Sequence, residues 1–404
     1  MRIGIFTFHD EYNYGSALQA YALQEYLVSK GYDVAVLHHH ISAKDARIRG
    51  IFANRSLRGW IRFLVLGICG GGQFARQLRL WKSSRFVAKY LRLTKYRFYF
   101  WRDAPSSLGV DALVVGSDQL WSCQWESPAK YLLEGAPSMP AIAYAVSIGV
   151  STIPASLHQL YNAGFSRFSR ISVREHCAIG LMRECGYRGE VAQTVDPTLL
   201  TDASTWKKLL RGVDQRVGRY LFCYLMGEDI ESVLPSLATY AKTNNCAVKI
   251  VVESFYWNNS TLKPMRFVKS FIHGVKLRSY CRRNNIRVLL NAAHKDFLEC
   301  IYGADKVITD SFHALMFSIN FKKDIRIVRP HGDYRGKMFS RIEDACKKYI
   351  KNDVICTTVE SALLSFNNRR TEVNKESLME DVKFSREWLS SAINQVSIKL
   401  ECNR

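Results

Sequence analysis

The segment VITDSFHALMFSI, Val307 to Ile319, runs from a β-branched stretch through Asp310 and Ser311 into an apolar run of helical period, with His313 in its first turn. The spacing predicts a strand ending at about Thr309–Asp310, Ser311 as helix N-cap, and a histidine among unpaired backbone N–H groups. Such a helix start attracts anions, contributing about 0.3–1 kcal/mol when exposed and up to ~2 kcal/mol when partly buried. The dipole disfavours the imidazolium until an anion arrives, whose charge then raises the histidine pKa. His313 therefore reads as a proton donor armed by its own substrate. The competing reading is a histidine hydrogen-bonded to a neighbouring loop.

Three further stretches could do chemistry. In VVGSDQLW, Val114 to Trp121, a buried strand leads into Gly-Ser-Asp-Gln, which places Asp118 where a hydroxyl-activating base would be useful; a turn aspartate is the duller alternative. In ISVRE, Arg174 and Glu175 follow a short strand, where a guanidinium could clamp a carboxylate or phosphate through two parallel hydrogen bonds, or form a surface pair with Glu175. In NYGSALQAY the loop from Asn13 to Ser16 opens a helix and could contact an acceptor or simply cap. Asp196 in VDPTLL precedes a proline, so it reads as extended and structural.

These positions need strands that end together. RIGIFTF followed by NYGSALQAYALQEYLVSKGYDVAVL reads strand, helix, glycine stop, strand, and DALVVGS, AIAYAVSIG and ISV continue the alternation. Beginning near Arg219 the series restarts with YLFCYLMG, a helix over Ile230–Thr243, AVKIVV, IRVLL, a helix over Asp296–Tyr302, KVITD, a helix from Ser311, and DIRIV. Two Rossmann-like parallel α/β domains facing a cleft are expected. The first spans residues 1–210 and the second 211–374, with the helical pattern of 375–404 packing back.

At 404 residues the chain is long enough for two cores. Lys and Arg number 57 against 36 acids, a net charge of +21 that favours anionic partners. Between Lys44 and Arg102 fifteen Lys/Arg face a single acid, Asp45, interleaved with aromatics such as Trp60, Trp81, Tyr96 and Trp101. This segment suits peripheral contact with an anionic membrane, or helices whose aromatics pack on the sheet. Nucleic acid is the weakest partner class, because no motif for it accompanies the charge. The eleven cysteines form no C-x-x-C pair, and no run is apolar for 18 residues, which together suggest a cytoplasmic, non-spanning protein. GGGQFA, Gly70 to Ala75, lacks the acid that a dinucleotide fingerprint needs and reads as a loop. His38–His40 reads as a strand end, since neighbouring strand residues point to opposite faces, and NNST as an irrelevant pair of sequons.

Taken in order, NYGSALQAYALQ, VVGSDQLW, YAVSIG, SVRE, DPTLL and TDSFHALMFSI resemble the polysaccharide pyruvyl transferase family. The resemblance implies a GT-B-like fold and transfer of pyruvate from phosphoenolpyruvate (PEP) onto two hydroxyls of a sugar, as a cyclic ketal on bacterial surface glycans. No metal is expected, because phosphate leaves from an enol ester without a nucleotide–metal complex and the sequence shows no ligand cluster, and no cofactor beyond PEP as substrate; the basic aromatic segment suits a saccharide acceptor that is lipid-linked at the inner membrane face. His313 falls on the family histidine proposed as general acid, and Arg174 on a donor-anion ligand, with Asp310 and Ser311 beside them. Ser311 stands where some relatives carry arginine, so a further cation is expected from Arg329 or Arg335, and Ala314 replaces an expected glycine. Asn13, Gly15, Ser16 and Gln119 fall to the acceptor side. A nucleotide-sugar glycosyltransferase and a non-catalytic anion- or nucleic-acid-binding protein are the rival classes.

Overall fold

A computed structural model describes residues 1–9, 13–40, 71–124, 128–210, 220–252, 275–330 and 339–402. The first sheet holds β1 (Arg2–Phe6), β2 (Asp33–Val36), β3 (Ala112–Val115), β4 (Ala141–Val146), β5 (Arg170–Val173) and β6 (Val191–Gln193), in the order β2-β1-β3-β4-β5-β6. The second holds β7 (Tyr220–Tyr224), β8 (Ala247–Val251), β9 (Ile286–Leu289), β10 (Lys306–Thr309), β11 (Asp324–Val328) and β12 (Ile355–Cys356), in the order β12-β11-β10-β7-β8-β9. Every pairing of these strands is parallel. Strands covered on both faces are apolar at every position, as β3 and β4 are: ALVV and AIAYAV are buried throughout.

Each order reverses direction once, between β1 and β3 in the first sheet and between β7 and β10 in the second. The crevice beyond the strand ends at such a reversal is where open α/β sheets hold ligands. Two Rossmann-like sheets facing across a cleft make this a GT-B-like α/β fold.

Of the helices among the described residues, those that bear on the site and the core contacts below are α1 (Tyr14–Ser29), α2 (Gly71–Tyr90), α3 (Pro197–Leu200), α4 (Ile230–Thr243), α5 (His294–Gly303), α6 (Phe312–Asn320), α7 (Ser340–Tyr349) and α8 (Lys375–Cys402). Helix α1 is buried on nearly every side, because it packs on β2 and also on α3 and α5. Asn13 caps it by accepting from the Gly15 N–H at 2.9 Å, and Gly31 with φ +84° ends the turn after it. One apolar cluster runs from Ile3 and Leu18 in the first half through Phe297 and Leu315 in the second to Trp388, Leu389 and Ile393 of α8. The last helix therefore packs back on both halves, helped by the Val195 N–H donating to Ser385 Oγ at 2.9 Å.

The glycine stretch is not a loop from residue 71 on, because Gly71–Tyr90 is helical. Local glycine content is overruled there by tertiary packing: Phe86 and Val87 of α2 enter the core and Phe86 stacks near His294 of the second half. The aromatics of the basic segment divide. Phe86, Phe98 and Trp101 are buried, whereas Trp81, Tyr96 and Phe100 are exposed. Residues 44–70 and the NNST sequons lie outside the described residues. His39 is buried beyond the end of β2, with Nε2 2.9 Å from the Tyr131 hydroxyl. No helix among the described residues is long and apolar enough to cross a membrane.

Candidate active site

The first half contributes a carboxylate held in an unusual backbone. After β3 the chain turns through Gly116, whose φ is +132° and where an added Cβ would lie 2.0 Å from the Tyr144 carbonyl oxygen. Asp118 follows with φ +79°, a conformation that costs energy in any residue with a side chain and is held here by surrounding bonds. Its carbonyl accepts from the Leu120 and Ser147 N–H groups, and its carboxylate from Ser16 Oγ at 2.8 Å and the Gln119 N–H at 2.9 Å. Gln19 braces the turn from α1, donating to Thr7 Oγ1 at 2.7 Å and accepting from the Ser117 N–H at 3.1 Å.

Arg174, just past β5, is buried rather than a surface residue. Its Nη1 donates to Asp196 Oδ2 at 2.8 Å, while Nη2 lies 4.0 Å from Asp118 Oδ1 and Nε 3.8 Å from Glu175 Oε2. Glu175 is buried too, and its Oε1 accepts from Ser147 Oγ and from the Ile148 and Gly149 N–H groups. Asp196 caps α3 by accepting from the Thr198 N–H at 3.0 Å, so the residue before the proline is both a cap and a member of this cluster. Proline at the first helical position leaves the capping carboxylate free to reach Arg174 as well.

The second half closes the arrangement. Asp310 ends β10 and its carboxylate accepts from the Met226 and Gly227 N–H groups, fixing the loop after β7. Ser311 caps α6 by accepting from the Ala314 N–H, and His313 follows with Nε2 3.8 Å from Asp196 Oδ2. The Arg174 guanidinium lies 4.2 Å over the Phe312 ring and Arg341, from α7, 5.6 Å over the same ring. With its amide oxygen turned toward the cation, Gln119 accepts from Arg341 Nη1 at 2.5 Å, a bond between the two halves. Arg174, Asp196, Phe312 and Arg341 line a cavity of about 20 Å³.

Burial, with Arg174 and Arg341 adding to it, lowers the His313 pKa against the opposing pull of Asp196 and Asp118. Burial opposes ionisation of Asp118 and Asp196, but the cationic charge of His313 and Arg174 and the bonds each carboxylate accepts outweigh it, so both carboxyls stay below their usual range. Several polar atoms of this cluster are buried without a hydrogen-bond partner among the described residues: Arg174 Nε and Nη2, Glu175 Oε2, His313 Nε2 and Arg341 Nε. Buried polar atoms of this kind are costly unless something else satisfies them.

Of the residues singled out in the sequence, Ser16, Asp118, Gln119, Arg174, Ser311 and His313 come together, with Gly15 against the His313 ring and Asp310 supporting the loop beside it. Asn13 is an exposed helix cap. Arg329 is exposed at the surface in an ion pair with Glu343, and Arg335 lies outside the described residues. Asp196 and Arg341 are the members that sequence reasoning passed over. Asp196 carried a signal, an Asp-Pro after a strand, while Arg341 sits in a helix rich in charge and had none.

Two Rossmann-like halves with a polar cluster gathered at both sheet reversals give the chain a GT-B-like form. The family model described as Polysaccharide pyruvyl transferase matches residues 13–324, and the chain belongs to that family. No curated protein matches. Among solved structures, UDP-GlcNAc 2-epimerase from Methanocaldococcus jannaschii, in complex with UDP-GlcNAc and UDP, is 11% identical, covering 95% of this chain and 99% of its own, with a TM-score of 0.49. The UDP-GlcNAc 2-epimerase from Neisseria meningitidis is 10% identical, covering 98% and 100%, at 0.48. The E. coli heptosyltransferase WaaC is 14% identical, covering 90% and 95%, at 0.39.

Proposed function

We propose that this family member transfers pyruvate from PEP onto two hydroxyls of a saccharide, forming a cyclic ketal and releasing phosphate. The observation that supports the reading is the approach of His313 to Asp196, with Arg174 joining Asp196 and Asp118, across both halves and beside a cavity lined by Arg174 and Arg341. PEP is an anion twice over, through phosphate and carboxylate, and matches a guanidinium beside a helix start.

In this mechanism PEP reaches the Arg174 guanidinium and its charge raises the His313 pKa, so that Nε2 carries a proton toward the methylene carbon. The C3–H bond forms as the enol double bond is consumed, leaving C2 electron-poor. A sugar hydroxyl attacks C2 and gives its proton to a base, the role proposed for Asp118. The C2–O bond to phosphate then breaks, and the second hydroxyl attacks the same carbon to close the ketal, its proton passing to the His313 imidazole left neutral by the first step while the Asp118 proton leaves with phosphate. Asp196, 3.8 Å from Nε2, stabilises the imidazolium of the armed state. Positioning by two facing halves replaces a bimolecular encounter and contributes much of the rate.

The buried cations supply the charge that a metal would otherwise bring to the leaving phosphate, so the reaction is proposed to run without one. A lipid-linked acceptor and peripheral membrane contact by the basic segment belong to the same proposal. Thermal stabilisation by PEP, beside UDP-sugars, tests the donor. Millimolar PEP at micromolar affinity stabilises by about 4 kcal/mol, and this shift should weaken in His313→Ala. A shift with a UDP-sugar and none with PEP would replace the pyruvyl reading by glycosyl transfer.

A further inference from the structure

We propose that Arg341 is a second donor-binding residue, completing with Arg174 a clamp of two guanidinium groups on the anionic ends of PEP. The inference rests on the pyruvyl-transfer reading and goes beyond it in naming a residue that lies outside the matched segment 13–324.

Three observations carry it. First, both guanidinium groups stack on Phe312, the first residue of α6, and line the same cavity. Two like charges gathered over one ring in a buried place repel; Asp118, Glu175 and Asp196 offset the pair by charge, but none of them hydrogen-bonds Arg341 among the described residues. Second, the neighbouring carboxylate oxygens are held by other donors, apart from Glu175 Oε2, which lies 3.8 Å from Arg174 Nε. Asp196 is held by Arg174 and the Thr198 N–H, Asp118 by Ser16 and the Gln119 N–H, and Glu175 Oε1 by Ser147 and two backbone N–H groups. The acceptor shown for Arg341 is the neutral Gln119 amide, and its Nε has no partner among the described residues. Burial beside Arg174 accordingly pushes the Arg341 pKa down to about 10. Third, Ser311 caps α6 without bringing charge, and of the cations lining this cavity Arg174 is tied to Asp196 and Lys348 to Asp381, whereas Arg341 has no hydrogen bond to a carboxylate among the described residues.

Exchange of the Gln119 amide for a phosphate or carboxylate oxygen of PEP would convert a neutral bond into a charge-assisted one. It would also release the link between the two halves as the donor arrives. A cavity of about 20 Å³ is room for a water-sized group, so admission of PEP requires Gln119 and Arg341 to part.

The test is PEP affinity by calorimetry for the full-length wild type, Arg341→Gln and Arg341→Lys, with ligand-free melting temperatures and inhibition by inorganic phosphate measured alongside. Loss of one charge-assisted contact predicts PEP binding weakened about 10- to 100-fold in Arg341→Gln, with partial recovery in Arg341→Lys and a parallel weakening of phosphate inhibition. A folded Arg341→Gln that binds PEP within about twofold of wild type overturns the clamp while leaving the pyruvyl reading intact. A wild type that binds no PEP overturns both, and this outcome is told apart from the first by the wild-type titration alone. If Arg341→Gln fails to fold, Arg341→Lys decides: unchanged PEP and phosphate affinity in it counts against a two-point guanidinium contact.

Discussion

A methyl group added to Gly15 would lie 2.0 Å from Nδ1 of His313, so the start of α1 in the first half and the start of α6 in the second meet with no room for a side chain. The glycine in NYGS is therefore required by an imidazole nearly 300 residues away and not by its own backbone. Gly15→Ala is expected to displace His313 or to part the halves. A misplacement of about 1 Å costs on the order of 100-fold in rate, so kcat should fall by about that factor while PEP binding through Arg174 falls less. Steady-state kinetics beside PEP calorimetry checks this, and an unimpaired kcat would show that His313 has no fixed place in the chemistry.

Arg174 is expected to be the most sensitive position for stability. It is buried among Asp118, Glu175 and Asp196, and removing one partner of a buried ion pair costs about 3–5 kcal/mol. Arg174→Met should lower the urea midpoint by a corresponding amount, and Arg174→Lys by less, since the charge remains but the fork is lost. Equal midpoints for all three proteins would mean that the carboxylates do not depend on this cation.

The pH dependence of stability has a defined sign. His313 has a folded pKa below its unfolded value of about 6.5, so the unfolded chain takes up the proton first and stability falls as pH drops through and below that value. Asp118 and Asp196 also have lowered pKa values, and their contribution is present above about pH 4 and lost below it as pH falls toward the folded values. Buried His39 titrates in the same sense as His313. Urea unfolding between pH 7 and 5 should therefore show a decline that is shallower, but not absent, in His313→Asn. Saturating PEP, by raising the folded pKa of His313, should shrink this decline and reverse it once the folded value exceeds the unfolded one.

Much of this architecture was legible in the sequence because parallel strands buried on both faces write themselves as apolar runs with turn residues at their ends. The helix over Ile230–Thr243 was read with the bounds it has, and Ser311 as the cap of α6 followed from its place between Asp310 and an apolar period. The helix at Gly71–Tyr90 was not legible at its start, because its support comes from core contacts far along the chain, such as Phe86 with His294. The site was half-legible for the same kind of reason. Asp118, Arg174 and His313 stand directly after strands, where position is informative. Arg341 is inside a helix, and nothing local tells that this arginine, and not Arg329, turns inward over Phe312.

The basic segment offers the last test. Within its described part Arg79 is buried, its guanidinium 4.3 Å over the Tyr14 ring, and Lys82 pairs with Asp296 at 3.1 Å. These two cations hold α2 to the body and are not available to a lipid surface. Arg85, whose guanidinium lies over exposed Trp81, and the exposed Lys89 and Arg102 make only local contacts, Lys89 over the Tyr90 ring and Arg102 with Asp103 and the Phe100 ring. If the segment docks on anionic membrane, each of these cations adds about 1 kcal/mol near the surface, so neutralising Arg85, Lys89 and Arg102 together should weaken co-sedimentation with phosphatidylserine vesicles at least about tenfold. Replacing Arg79 alone should instead lower the melting temperature and leave vesicle binding of the folded fraction unchanged. Vesicle binding that survives the triple change would assign the exposed aromatics and cations of residues 81–102 to another partner.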